Sequence, residues 1–377
     1  MKNPFSRWNK YLSEHADFKN LLKNASVLFS GNFVAAVLGL VAIAILTRSL
    51  QLEVFGLYTL CIAYVTIVDR LANFQIWQAL IHYGAAMVQK KSLANSSSLL
   101  AFGFLVDLFG CVLGFLIALA GAIWLPHLFG LAEIQFTTLV FASVTLLFNW
   151  VGTPTAIFRL LDEYKIQAIT RNIPVGIHVI GYFFLWLNNV ENLSTFIYIW
   201  AFGVIVYRII ILMVGLRLAI KRDVFSLTTI DLKQMLAASP RIWKFIFTSY
   251  LEGTVRMIRE FDIFIVNYFT NTASTGLYKI AREMARAATR LTGPFHQAIY
   301  PNLAKMKVSE NFLSFRKLVI QSSVTLGTMV FVGFLVFLML GEYLLIGIFG
   351  ESYSAAYRPA IFCIFGIVIW GLSLIHI

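Results

Sequence analysis

A chain of 377 residues that is 59% apolar and only 13% charged, with 34 Phe and a mean hydropathy of +0.79, is not a soluble domain, where about a quarter of residues carry charge. Its net charge of +12 does not point to nucleic acid, because the basic residues fall in short segments at alternate ends of apolar runs. Cys61, Cys111 and Cys363 lie far apart inside such runs, with no metal-ligand spacing and no disulfide framework, so neither a metal nor any other cofactor is expected.

The first 24 residues are polar and carry Lys2, Arg7, Lys10, Lys19 and Lys23. The 24 uncharged residues between Lys23 and Arg48 exceed the roughly 20 that a spanning helix needs, and they read as a retained first span, not a cleaved signal. Further spans follow, giving ten near 25–47, 55–75, 97–123, 136–158, 168–187, 194–216, 245–268, 275–298, 318–341 and 357–375. The fifth is irregular, with Pro174, Gly176, His178 and Gly181. The N-terminus and the even-numbered loops hold 19 Lys and Arg, and the odd-numbered loops hold two, Arg48 and Arg358. The positive-inside rule therefore predicts both termini in the cytoplasm.

A shift of 220 residues brings Phe55-Gly56-Leu57-Tyr58 onto Thr275-Gly276-Leu277-Tyr278 and Leu128-Phe129-Gly130 onto Ile348-Phe349-Gly350. At 219, Gln78-Ala79 meets Gln297-Ala298. The common offset predicts parallel repeats related by an axis along the membrane normal. The expected organisation is an all-α polytopic membrane protein. It has a cytoplasmic segment 1–24, a first six-helix bundle 25–216, a cytoplasmic linker 217–244, and a second bundle 245–377 with four helices present, around a central cavity. Residue 377 maps onto Ile157, so spans 5 and 6 lack counterparts. The chain is expected to be a shortened twelve-helix protein, lacking about 60 residues by the repeat arithmetic. A natural ten-helix protein is the alternative.

Nine basic and six acidic residues fall inside these spans. At about 2.5–3.5 kcal/mol for each central charge facing lipid, fifteen would cost on the order of 40 kcal/mol, so most must face the bundle interior or water. The first six spans balance, with Arg70 and Arg208 against Asp69 and Asp107. Spans 7 and 8 do not. Lys244, Arg256, Arg259, Lys279, Arg282, Arg286 and Arg290 face only Glu252, Glu260, Asp262 and Glu283. Lys279, Arg282, Arg286 and Arg290 form one helical stripe. In an antiparallel hairpin around Asn271, Glu260 would lie near Arg282, Arg259 near Glu283 and Glu252 near Arg290. Arg256 and Arg286 would meet near the midplane with no acidic partner at their level. This set, Arg256, Arg286, Arg259, Arg282, Arg290 and Lys279, is the candidate lining for an anionic substrate. A salt-bridged network holding the two halves together is the alternative reading. Asp69, Arg70, Glu252, Glu260 and Glu283 are the candidate coupling or charge-balancing groups.

Asp69 is expected to pair with Arg70; a proton or cation site is the alternative. Thr66, Asp69 and Asn73 share one face of the second span. Gly103, Asp107, Gly110, Gly114 and Gly121 line one side of the third, a spacing that suits close helix contact. His82, His127, His178 and His296 share no ligand spacing and read as structural. No catalytic constellation stands out, so an enzyme is not expected.

Arg48-Ser49-Leu50 followed by Phe55-Gly56-Leu57-Tyr58 resembles the start of bacterial polysaccharide or O-antigen flippases. Gly276-Leu277-Tyr278 followed by Pro301, and Phe349-Gly350-Glu351-Ser352-Tyr353, resemble their second half. The resemblance implies membership of the multidrug, oligosaccharidyl-lipid and polysaccharide exporter superfamily, in a bacterial inner membrane. The implied activity is alternating-access transport of undecaprenyl-pyrophosphate-linked oligosaccharide from the cytoplasmic to the outer leaflet, in O-antigen and lipopolysaccharide synthesis. The implied partners are that lipid-linked oligosaccharide, membrane lipid and polysaccharide-assembly proteins, with no nucleic acid. Two rivals remain. A drug or cation antiporter of the same fold would want an acidic cavity. A membrane glycosyltransferase or polymerase would want a catalytic carboxylate pair or an arginine-rich outer loop.

Overall fold

A computed structural model describes residues 16–89, 92–124, 126, 131–287 and 312–372, and the described chain is helical almost throughout. The helices of the first half are α1 (Ala16–Ser49), α2 (Leu52–Ala72), α3 (Ile76–Gln89), α4 (Leu93–Trp124), α5 (Phe136–Val144), α6 (Gly152–Leu160), α7 (Tyr164–Thr170), α8 (Ile173–Leu187) and α9 (Leu193–Lys221). Then come α10 (Leu232–Ala238), α11 (Ile242–Met257), α12 (Asp262–Phe269), α13 (272–287), α14 (Phe312–Phe349) and α15 (Tyr357–Leu372).

Among the described residues, seven stretches are long and apolar enough to cross a bilayer: Ser30–Ser49, Leu52–Ala72, Leu93–Trp124, Phe136–Leu160, Tyr164–Leu187, Leu193–Lys221 and Gly327–Phe349. They coincide with expected spans 1 to 6 and 9. Span 7 falls short because its helix breaks into α11 and α12 at a 3-10 turn, Ile258–Glu260, amid its dense charges. Only 272–287 of span 8 is described, and α15 covers 16 residues of span 10.

Breaks inside the spans follow local chemistry. After α2 the chain kinks at 73–75, where the Asn73 side chain accepts the Gln75 backbone N–H and Gln75 takes a φ of 53°. Helix then resumes as α3, although the sequence reads as a loop there. Span 5 splits into α7 and α8, and Pro174 sits at the start of α8, where its missing N–H costs nothing. The glycine face of α4 packs on α2 as its spacing suggests. A Cβ on Gly110 would stand 2.7 Å from the Ala72 carbonyl oxygen, and one on Gly114 3.0 Å from the Ala72 Cβ.

Three apolar cores lie mainly in the first half, and each recruits the second. Met257, Ile263 and Phe264 join the core around Leu60, Val65 and Leu139. Ile242 and Ile246 join that of α3, α4 and α6. Ile280, Leu345, Phe349 and Tyr353 join that of α1, α2 and α8. A fourth core, with Phe334, Phe337, Ala281 and Ile364, belongs to the second half alone. Large side chains such as Phe109, Phe184 and Met339 point outward and form the lipid-facing surface.

The expected linker is not a free tether. Three consecutive buried serines at the start of α4 bind it. Ser96 Oγ donates to the Val224 carbonyl (2.7 Å), Ser97 Oγ accepts from the Ser226 N–H (2.9 Å), and Ser98 Oγ accepts from the Asp231 N–H (2.8 Å). This fixes where α10 begins.

Candidate functional site

Between the two halves lies a cavity of about 600 Å³. One wall is α1, through Gly39, Ala42 and Ile43. The next is α2, through Tyr58, Thr59, Ile62, Thr66 and Arg70. Arg171 from the α7–α8 turn, His178 and Tyr182 from α8, and Trp200 from α9 follow. Glu260, Ile263, Lys279 and Arg286 complete the lining from the second half. Four cations and one carboxylate therefore face the same space.

Residue spacing explains the aim of these groups. Lys279 and Arg286 are seven apart on α13, two turns on one face. Thr59 and Thr66 are seven apart on α2 and present a matching face. A shift of 220 maps Thr59 onto Lys279 and Thr66 onto Arg286. Positions related by the 220-residue shift thus line one cavity, threonines on α2 and cations on α13.

The cations are held in a network. Glu283, buried, bridges Lys279 (2.9 Å) and Arg286 (2.7 Å). Glu260 meets Arg282 at 2.9 Å, Arg286 at 3.5 Å and Arg70 at 3.6 Å. Asp262 accepts from Arg282 and from the Tyr278 hydroxyl, each at 2.7 Å. With Arg171, five cations meet three carboxylates, an excess that suits an anion. Arg70 and Arg286 keep 40% and 38% of their side chains exposed, against 12% for Arg282. The first two can offer N–H groups to a ligand, whereas Arg282 is consumed by its carboxylates.

Several expectations change. Arg286 does not lack an acidic partner: Glu283 sits one turn before it and Glu260 reaches it from the α11–α12 break. Glu260 does lie near Arg282. Asp69 does not pair with Arg70. Neighbours on a helix diverge by about 100°, so the two face different places. Asp69 turns into the first half, to Arg208 at 3.6 Å and to the Asn149 amide, while Arg70 turns to Glu260. Asp107 accepts from the Thr153 N–H and hydroxyl, both at 2.7 Å, fastening α6 to α4. Glu252 lines a separate groove with His82. The side chains of Arg256 and Arg259, and the whole of Arg290, His127 and His296, lie outside the described residues.

The sequence pattern did not mark Arg171, Tyr182 or Trp200, and it marked Tyr58 only as part of the repeated motif, not as a site residue. His178, read as structural, hydrogen-bonds to no charged group among the described residues. Its Nε2 lies 3.1 Å from the Trp200 carbonyl, its ring stacks on Tyr182, and it lines the cavity. The Tyr58 and Tyr182 hydroxyls bond to each other at 2.8 Å. Thr59 Oγ1 is buried at the cavity edge with no hydrogen-bond partner among the described residues, an open valence for a polar ligand.

One end of the cavity is closed by contacts between the halves. Arg48 Nε donates to the Ile348 carbonyl (3.2 Å), Phe55 packs edge-on against Tyr353 (5.7 Å between centroids), and Gly56 abuts Thr272.

The family described as "Polysaccharide biosynthesis protein" matches residues 21–307 of this chain. The "Inner membrane protein YghQ" of Escherichia coli (strain K12) is 21% identical over 354 residues, covering 90% of this chain and 95% of that protein. The crystal structure of a mutant of the Vibrio cholerae MATE transporter VcmN covers 94% of this chain, and this chain covers 85% of it, with a TM-score of 0.55 and 12% identity. That likeness shows the fold: an all-helical, multi-span membrane protein of MATE type.

Proposed function

This chain belongs to the polysaccharide biosynthesis protein family, and from that premise we propose that it moves a saccharide carried on a pyrophosphate-linked prenyl lipid across the bacterial inner membrane by alternating access. The observation that carries this reading is the cavity between the halves, with Arg70, Arg171, Lys279 and Arg286 aimed into it. A sugar chain and a pyrophosphate cannot cross hydrocarbon unaided. A polar cavity keeps the sugar hydrogen-bonded, and the guanidinium groups offset the phosphate charge through paired hydrogen bonds. A cation about 6 Å from one negative charge contributes about 3 kcal/mol at an effective dielectric of 20, enough in sum to hold the headgroup and still release it. Arg256, Arg259 and Arg290 add to this lining in the proposal, and Arg282 sets the position of Glu260.

The Lys and Arg bias places the Arg48, Thr272 and Gly350 end outside, so the closed end is the outer one. The two repeats, 25–216 and 245–377, are the bodies that rock. The name of the Escherichia coli relative supports the inner membrane as the location. A drug or cation antiporter fits less well, because the cavity is cationic.

The test is complementation of flippase-null strains that make different repeat units. The wild-type chain should restore surface polysaccharide in at least one strain, and Arg286→Ala should not, at equal membrane abundance. Full complementation by Arg286→Ala would remove the basis of the reading.

A further inference from the structure

A second polar groove, of about 540 Å³, lies between α3 and the first turns of α11. Arg241, Lys244, Thr248, Ser249 and Glu252 line it from α11, and Gln78, His82 and Tyr83 from α3. It is a built feature. The His82 ring lies face to face with Phe245 (4.8 Å, 14°), and Phe245 meets Tyr83 edge-on at 6.1 Å, so α3 and α11 are clamped together. Arg241 and Lys244 have no ion-pair partner among the described residues, in contrast to Lys279 and Arg286. On the opposite face of the same turns, Trp243 and Ile246 line an apolar cavity of about 370 Å³ with Phe102, Leu105 and Phe109. The first half of α11 thus separates a charged groove, where Arg241 and Lys244 outnumber Glu252, from an apolar one.

We propose that this pair of grooves is an entry site for the prenyl-linked substrate, the pyrophosphate held by Arg241 and Lys244 and part of the hydrocarbon chain held beside Trp243. This rests on the transport reading above. The Lys and Arg bias puts the groove at the cytoplasmic end, where such a substrate would be made. Lys244, Thr248 and Glu252 follow a four-residue spacing along α11 toward Glu260 and the inner cavity. Lys244 and Glu260 are 16 residues apart, roughly 24 Å of helix. The diphosphate therefore has one cationic cluster at the mouth and a second inside. An ordinary phospholipid satisfies the groove chemically but has no further destination along α11, which favours the transported lipid as occupant.

The test uses the full chain in phosphatidylcholine nanodiscs with a photoactivatable prenyl pyrophosphate, and maps the labelled peptides. Labelling within 76–89 and 241–249 is expected. Arg241 and Lys244 are exposed, so Arg241→Ala/Lys244→Ala should fold normally. It should lower groove labelling about tenfold, equivalent to about 1.4 kcal/mol, and raise KM for transport with kcat little changed. Unchanged labelling in the double variant would overturn the assignment, as would complete competition by an equal amount of phosphatidylglycerol, which would mark a general anionic-lipid site. Labelling requires no transport, so groove labelling that phosphatidylglycerol spares supports the site even in a chain that does not flip. Flipping with unchanged KM in the double variant would sink the entry site and leave the transport reading standing.

Discussion

Gly56 on α2 and Gly276 on α13 pack reciprocally, each against the carbonyl four residues before the other. A Cβ on Gly56 would fall onto the Thr272 carbonyl oxygen, and one on Gly276 would stand 3.1 Å from the Leu52 carbonyl oxygen. The offset of 220 relates Gly56 to Gly276 and Leu52 to Thr272, so the contact has the symmetry of the sequence repeat. Two helices approach this closely only where no side chain intervenes.

The first prediction concerns this contact. Gly56→Leu should hold the two halves apart at the end where Arg48 meets Gly347 and Ile348. Spin labels at Glu53 and Glu351, both exposed near that end, should show a longer distance distribution in the variant. An unchanged distribution would mean that the two glycines do not set the closed state.

The charge network predicts a division of labour. Arg282→Ala strips Asp262 and Glu260 of a close, buried partner and should destabilise by about 3–5 kcal/mol, read as lower membrane abundance and a lower Tm in detergent. Arg286→Ala leaves Glu283 with Lys279 and Glu260 with Arg282, so its loss of stability should be about 1 kcal/mol or less, as for a partly exposed pair. Equal Tm losses in the two variants would contradict the assignment of Arg282 to the fold and Arg286 to the cavity.

The third prediction lies inside the first half. Arg208→Met leaves Asp69 with the Asn149 amide but without its ion-pair partner, and should lower Tm through a loss of about 3 kcal/mol. Adding Asp69→Asn should recover most of it, because the second change removes the stranded charge. A double variant as unstable as the single one would show that the pair does not act as a unit.

Much of the fold was legible because bilayer physics writes it in one dimension. Uncharged runs marked the spans, and the Phe55-Gly56-Leu57-Tyr58 repeat marked the two related helices that meet at the cavity. The same offset also carried an unread signal, since it pairs Thr59 with Lys279 and Thr66 with Arg286. The break of span 7 at Ile258–Glu260 and the helical continuation at α3 were not legible, because the break carries Glu260 to Arg70 of the first half and α3 packs chiefly on α4 and α6, contacts between segments distant in sequence. Ion-pair partners were legible only across the α12–α13 hairpin, as for Glu260 and Arg282. The partners of Asp69 and Arg70 lie 139 and 190 residues away, and no local spacing encodes them. Arg171 is a lone cation at a turn between two helices, so no stripe pointed to it.

The central claim is that Arg286 and its neighbours carry the phosphate charge of a lipid-linked saccharide through the cavity. The most direct measurement is movement of a fluorescent prenyl-pyrophosphate saccharide between leaflets of proteoliposomes holding the purified chain, scored by quenching in the outer leaflet. The wild-type chain should move it, Arg286→Ala should lose at least tenfold in rate, and Arg286→Lys should recover part of the loss, because the charge returns without the planar fork. Arg286→Ala moving the substrate at the wild-type rate, with its fold intact, would contradict the account.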